Sequence, residues 1–171
     1  TMLEHLSDLH DFYGEQLGVR LARKHLNWYC MYLDNSKDFR AKAVRAISAN
    51  EQIGLVKEYF QALIQNAPLG IVSLDNDHNI VTSNQSFENM FGYSNSELFE
   101  SNLDSLITNE KLNNSATEIT ERVKEGEAVH LIHQRMRKDG ELIYVEISGV
   151  PIQIEGEQKG VLAIYENITE R

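Results

Sequence analysis

Few side chains in this 171-residue chain stand where they could do chemistry. Arg20, Arg23 and Lys24 fall within one helical turn, so they share a face that could neutralise phosphates. Their segment has no net charge, and three basic residues on a surface helix are ordinarily only a solvated face. His130 and His133 lie three apart in a stretch with strand character, so they point to opposite faces and cannot make a paired metal site from one strand. The plain reading is one packed histidine and one solvated one. Cys30 is the only cysteine, so no internal disulfide can form and a reducing, cytoplasmic setting is expected. The sequence has no glycine-rich phosphate loop, no metal-spaced cluster and no nucleophile–base pair, and predicts a chain with no catalysis of its own.

The elements that would position these side chains follow two patterns. Residues 2–16 read as a helix with Leu3, Leu6, Leu9 and Tyr13 on one face. Residues 18–33 read as a second, with Ala22, His25, Tyr29 and Tyr32 at spacings of three and four, flanked by Val19, Leu26 and Leu33; Asn35 and Ser36 break it. Phe39, Ala43, Val44 and Ile47 predict a short third helix. A capping box from Ser48 to Glu51 starts a fourth, with the stripe Ile53, Val56, Phe60, Leu63 and Ile64. It must end before Pro68, because the residue preceding a proline is pushed out of helical geometry.

After Pro68 the period changes. An apolar strand over 69–74, a turn at Asp75-Asn76-Asp77-His78 and a strand over 80–83 come first. Asn84 caps a short helix carrying Phe87, Met90 and Phe91, which Gly92 closes. Ser94 and Glu97 open another turn, and residues 109–125 form a longer helix with Leu112, Ala116, Ile119 and Val123 inward. Strands over 127–137, 141–154 and 160–168 follow, the first two joined by Asp139-Gly140, a strong hairpin signal. The order is four helices, then β-β-α-α-α-β-β-β, an α+β chain whose antiparallel sheet carries helices on one face. Phe87, Met90, Phe91, Leu106, Ile107 and Leu112 are the apolar positions that would cover that sheet.

The net charge of −10 sits in one part of the chain. Residues 1–58 hold eight acidic and eight basic side chains, and residues 59–171 hold eighteen and eight. The acidic part is repelled by nucleic acid and anionic membrane, so any nucleic-acid role belongs to the first third. No apolar run approaches the ~20 residues that span a bilayer, and no signal peptide opens the sequence. The charge break near residue 58 is the first sign of two units, and the element pattern divides the chain into a helical segment 1–48, a connecting helix 49–66 and a domain 67–171.

Residues 65–171 resemble the PAS family. The resemblance rests on Asn66-Ala67-Pro68-Leu69-Gly70-Ile71, Asn84 with Phe87, Phe91-Gly92-Tyr93-Ser94 through Glu97-Leu98, and Arg137-Lys138-Asp139-Gly140. Val145-Glu146 through Pro151-Ile152 and the closing Ile168-Thr169-Glu170-Arg171 complete it. Each is weak alone; six in order on the expected elements are specific. The resemblance implies a five-stranded antiparallel sheet with helices on one face, often enclosing a ligand, here lined by Phe87, Met90, Phe91, Leu106, Ile107 and Leu112. It also implies a signal relay at Asn167, Ile168 and Thr169. The chain departs from the family where Asp77-His78 replaces a common Asp-Gly, where Phe99-Glu100-Ser101 replaces a glycine, and where Asn167 replaces the relay aspartate. Flavin photoreceptor members use a cysteine in the helical region, which this domain lacks. Oxygen-sensing haem members use a histidine on the long helix, and residues 102–125 contain none. Redox-flavin members stack the ring on a tryptophan, and the only one is Trp28, outside the domain. No haem and no flavin are expected; a small-molecule ligand or a filled core remains.

Residues 4–64 resemble the helical C-terminal end of bacterial tRNA-dihydrouridine synthases, B type. Leu9-His10-Asp11-Phe12-Tyr13-Gly14, Gly18-Val19-Arg20-Leu21-Ala22-Arg23-Lys24-His25, Trp28-Tyr29, Asp38-Phe39-Arg40 and Glu51-Gln52 through Tyr59-Phe60 carry it. In that family the region helps hold tRNA, which would make Arg20, Arg23 and Lys24 the RNA contacts. The synthase's flavin site belongs to a barrel of ~250 residues, for which this sequence has no room. The function expected is a sensory and interaction module without catalysis, a homodimer through residues 49–66, relaying to an output domain beyond Arg171. The alternative is the tRNA-binding and regulatory portion of a synthase-like protein.

Overall fold

A helix start leaves amides unsatisfied, and Thr1 supplies one partner: its hydroxyl accepts from the Glu4 amide while the Glu4 carboxylate reaches back to the amino terminus. The computed structural model describes residues 1–31, 33 and 36–170. Tyr32, Asp34, Asn35, Arg171 and the side chain of Asn113 lie outside the described residues, and with them the expectations placed on Tyr32, Asn35 and Arg171. Helix α1 runs Met2–Tyr29 with a break at Gly14 (φ 73°, ψ 164°), so the two helices expected here are its two halves. They come so close at Gly18 that a Cβ there would sit 2.6 Å from the Leu9 carbonyl oxygen. The buried line of the second half is Val19, Ala22, Leu26 and Cys30; His25 is half-buried and Tyr29 exposed, which corrects the expected face.

Helix α2 (Lys37–Ala43) buries Phe39 and Ala43 and ends before Val44 and Ile47, which are exposed rather than helical and inward. At the start of α3 (Ala49–Gln65) the Ser48 hydroxyl accepts from the Glu51 amide at 3.2 Å, while the Glu51 carboxylate accepts from Ile47 at 2.8 Å. The expected capping box is thus shifted by one residue on its return bond. Helix α3 turns Gln52 and Val56 inward, and Tyr59 stacks on Phe39 with ring centres 4.5 Å apart. Its predicted stripe is divided, because Phe60, Leu63 and Ile64 are exposed. The chain forms two compact units, Thr1–Leu63 and Ile64–Arg171. Leu6, Ala22, Leu26, Cys30, Phe39, Ala43 and Val56 make the core of the first.

The second unit runs β1 (Gly70–Leu74), β2 (Ile80–Ser83), α4 (Gln85–Phe91), α5 (Asn95–Leu98), α6 (Leu103–Ile107), α7 (Asn113–Lys124), β3 (Val129–Met136), β4 (Leu142–Ile154) and β5 (Glu157–Asn167). The strands make one antiparallel sheet in the order β2-β1-β5-β4-β3, the expected α+β architecture. Helix α6 is additional to the sequence pattern: five residues are too few for a periodic stripe, but the Asn102 side chain caps it by accepting from Ser105 at 3.2 Å. Strand alternation sends Val145, Ile147, Val161, Ala163 and Tyr165 to one face. Helices α4, α6 and α7 cover that face with Phe87, Phe91, Leu103, Ile107 and Val123, forming the second core. Among the described residues no helix is long and apolar enough to cross a membrane.

Candidate functional site

Asn84 organises one end of the second unit. Its Oδ1 accepts from the amides of Phe87 (3.0 Å) and Ile71 (2.8 Å), and its Nδ2 donates to the carbonyls of Ile64 and Leu69, both at 2.9 Å. One buried amide therefore caps α4 and pins it to β1. Phe87 and Phe91 then lean on the Tyr165 ring of β5, at 5.4 and 5.5 Å between centres.

Behind Tyr165, between the inner sheet face and helices α6 and α7, lies a cavity of about 30 Å³. Val123, Val161 and Ala163 are among its apolar walls; His78, Asp104, Thr120, Arg135 and Tyr165 are its polar ones. His78 ends the β1–β2 turn at φ 64°, a left-handed geometry that costs a side-chain-bearing residue roughly 1–2 kcal/mol. The turn is wound on Asp75, whose Oδ1 accepts from the amides of Asp77 (2.9 Å) and Asn79 (2.8 Å). Burial pushes the Asp75 carboxyl up, but these bonds outweigh it and hold it below the usual range. The result is that the His78 ring lies buried against α7. Arg135 reaches the cavity because it shares the inward face of β3 with Val129, Leu131 and His133.

The hydrogen bonds assign the protons. The Thr120 hydroxyl donates its single proton to Asp104 Oδ2 at 2.7 Å, so at 3.2 Å it accepts from His78 Nδ1. His78 Nε2 is then a bare acceptor, buried with no partner. Burial lowers the His78 pKa, opposed by the charges of Asp104 and Asp75 and assisted by Lys124. Arg135 Nη1 donates to the Gln134 carbonyl at 2.9 Å, and the guanidinium hydrogen-bonds the Tyr165 hydroxyl. Its Nε is buried without a partner, and none of the ion pairs found among the described residues includes Arg135. Burial pushes the Tyr165 phenol up to about 12 despite the cation beside it. A guanidinium with one unpartnered nitrogen and an imidazole with one unpartnered nitrogen therefore line the same small cavity.

The residues predicted from sequence lie as follows. Phe87, Phe91 and Ile107 are fully buried, Leu112 nearly so, and Met90 and Leu106 are half-buried beside the same core. None of the six lines the cavity. Asn167 Oδ1 accepts from the Thr169 amide (3.0 Å) and hydroxyl (2.7 Å), while the Ile168 amide donates to the Tyr144 carbonyl at 2.9 Å. Arg20 and Lys24 are exposed, with Lys24 Nζ 4.6 Å from the Trp28 ring centre; Arg23 instead donates to the Ala46 carbonyl at 2.9 Å. His130 is exposed and lies 2.9 Å from Glu146, while His133 is half-buried on the other face of β3. Among the described residues no group of three or more His, Cys, Asp and Glu could hold a metal ion. Sequence reasoning missed His78, Asp104, Thr120, Arg135 and Tyr165 as a group. Two signals were available: a histidine in place of the turn glycine, and an arginine on the apolar phase of a strand.

A family model described as PAS domain matches residues 68–170. The PAS domain of a Colwellia psychrerythraea protein is 22% identical, with a TM-score of 0.62, covering 68% of this chain and 99% of that one. A PAS domain of a LuxR-family transcriptional regulator from Burkholderia thailandensis, solved in complex with ethanol, is 15% identical with a TM-score of 0.53, covering 64% and 96%. The N-terminal part resembles tRNA-dihydrouridine synthase B of Xanthomonas axonopodis pv. citri, 50% identical over 68 residues, which is 40% of this chain and 20% of that protein. The chain thus spans about a fifth of the length of the curated relatives it matches. With the match covering more than half of its residues and solved PAS domains sharing its second unit's fold, the chain belongs to the PAS domain family.

Proposed function

We propose that the second unit is a non-catalytic sensory and docking module of the cytoplasm. It takes a small molecule into the cavity under α6 and α7 and passes its occupancy to an output domain through the end of β5. The observation that carries this reading is the pair of unpartnered buried atoms, His78 Nε2 and Arg135 Nε, at one cavity. Buried polar atoms are nearly always satisfied, so two orphans on residues that line one cavity call for a ligand. The space suits one or two water-sized groups, far less than a haem or a flavin ring. The ethanol held by the Burkholderia PAS domain supports a ligand of that scale.

The relay would run along β3 and β4. Arg135 bonds the Gln134 carbonyl, Gln134 pairs with Tyr144, and the Tyr144 backbone bonds Ile168 and the Thr169 hydroxyl. Asn167 needs only an acceptor oxygen to hold Thr169, so replacing the usual aspartate leaves this bond intact. Thr120→Val, which breaks the His78–Asp104 bridge, should change hydrogen-exchange protection of the Ile168 and Thr169 amides. Unchanged protection in a folded variant would end the relay reading, whatever the ligand is.

Dimerisation belongs to the same proposal. Val56 and Tyr59 account for the inward face of α3, and Phe60, Leu63 and Ile64 are left exposed on it. A second copy offers the same patch, which closes a two-fold interface. Phe60→Glu with Ile64→Glu should convert a dimer to a monomer in light scattering; a monomeric parent at tens of micromolar would refute it. The alternative reading, a tRNA-binding portion of a synthase-like protein, is supported by the match to the synthase. It would use Arg20 and Lys24, with Arg23 already spent on Ala46. Charge reversal at Arg20 and Lys24 would then reduce salt-dependent tRNA binding of the full-length protein.

A further inference from the structure

We infer that the cavity of the PAS unit is a site for a small monocarboxylate, of the size of formate or acetate, bound by Arg135 together with a proton taken up on His78. The inference rests on the reading of the cavity as a ligand site and names what that ligand is.

The argument for an anion is the uncompensated cation. Arg135 is 2% exposed, and none of the ion pairs found among the described residues includes it. A buried charge without a counter-ion costs several kcal/mol even after relaxation. Its carbonyl and phenol partners, Gln134 and Tyr165, solvate it without neutralising it. Asp104 lines the same cavity but spends Oδ2 on Thr120. An anion beside the orphaned Nε would provide both the missing charge and the missing acceptor, in a charge-assisted hydrogen bond.

The argument for a carboxylate is the apolar part of the lining. Val123, Val161 and Ala163 offer nothing to a fully polar ion such as nitrate, but they match a hydrogen or a methyl group. The volume of about 30 Å³ is scaled to the smallest members of the class, so formate should enter with little rearrangement and acetate only with an outward shift of the apolar walls.

The argument for a proton is the tautomer. His78 donates from Nδ1, so in the neutral ring Nε2 holds a lone pair toward the cavity, and a lone pair repels an anion. Protonating Nε2 turns that repulsion into a second charge-assisted bond. The charged and titratable groups around the ring are Asp75 on the turn, Asp104 on α6, Lys124 on α7, Arg135 on β3 and Tyr165 on β5. Asp75 and Asp104 favour the imidazolium; Lys124 and burial disfavour it, and burial wins. Tyr165 stays neutral, its phenol being held at about 12. An anion in the cavity would tip the balance, so binding and protonation reinforce each other.

The test is a titration of the 171-residue chain, followed by NMR of the Arg135 Nε–H group and the Gly149 and Ala163 amides. Sodium acetate, sodium formate, sodium chloride and ethanol are compared at constant ionic strength. Acetate and formate should give saturable shifts, tighter at about pH 6 than at about pH 8, by at most about tenfold per pH unit for one linked proton. Arg135→Met should abolish them. His78→Asn, a residue that tolerates left-handed geometry, should leave weaker binding without the pH dependence. Chloride saturating as well as acetate would overturn the carboxylate assignment. Acetate binding that is independent of pH would overturn the proton. Saturable ethanol without acetate binding would overturn the anion while leaving the module reading in place, since the Thr120→Val exchange experiment tests that separately. The wild-type series alone decides these points if Arg135→Met does not fold.

Discussion

Each unit of this chain buries a polar cluster, and the two differ in the charge they bury and in whether a cavity adjoins them. In the first unit Gln52, fully buried, accepts from His10 Nε2 at 3.0 Å and donates to the carbonyls of Val19 (3.0 Å) and Ala43 (3.5 Å). The Gln52 amide there binds three segments together, with His10 Nδ1 left unpartnered. In the PAS unit the cluster contains a guanidinium that forms no ion pair, and the residues carrying its orphans line a cavity. A closed cluster stabilises the fold; an open one keeps binding capacity in reserve at a cost in stability.

Substitution should separate the two. Gln52→Ala removes the shared partner of one imidazole and two carbonyls and leaves a void, so it should cost about 3 kcal/mol in denaturant unfolding of the first unit. Arg135→Met, in the absence of any carboxylate, should change the stability of the PAS unit by less than about 1 kcal/mol, because it also removes a buried, unpaired charge. An equal loss in both variants would erase the distinction.

His78 gives a smaller, pH-dependent contrast. Its folded pKa is lowered, mainly by burial, so the unfolded chain binds the proton more readily. The stability associated with the neutral ring is fully present above the ordinary value of 6.5 and is lost as pH falls from there through the lower folded value. His78→Asn should flatten that part of the pH–stability profile. An unchanged slope would show that the ring is not buried neutral.

The smallest effect belongs to the surface. Glu97 on α5 is held at about 2 by the Lys138 ammonium, with help from the Ser94 amide and hydroxyl. The sign is that of a depressed carboxylate: any stability it gives is present above 4.5 and lost as pH falls through about 2. The pair is exposed and screened, so Glu97→Gln should flatten the acid limb only slightly, and added salt should hide the difference. A loss as large as that of Gln52→Ala would mean that exposed charge matters here as much as buried polarity.

Local chemistry was legible wherever it stayed local. Asn84 at the start of α4, Gly92 at its end and Asp139-Gly140 in the hairpin each act within a few residues. The inward face of α7 was legible because Ala116, Ile119 and Val123 repeat with the helical period. The stripe of α3 was not: it is apolar on more than one side, and periodicity does not say which side meets Phe39 and Ala43. Helix α6 was missed because five residues hold no period.

By itself, then, the sequence determined the α+β class, the two-part organisation and the PAS resemblance, because period, caps and turns are properties of short stretches of chain. Only the tertiary structure decided the site. His78, Asp104, Thr120, Arg135 and Tyr165 sit on a turn, two helices and two strands. They meet only because the sheet orders its strands β2-β1-β5-β4-β3, bringing β5 beside β1 and β4. Whether a buried polar atom finds a partner depends on which distant segment arrives opposite it, and no local pattern encodes that encounter.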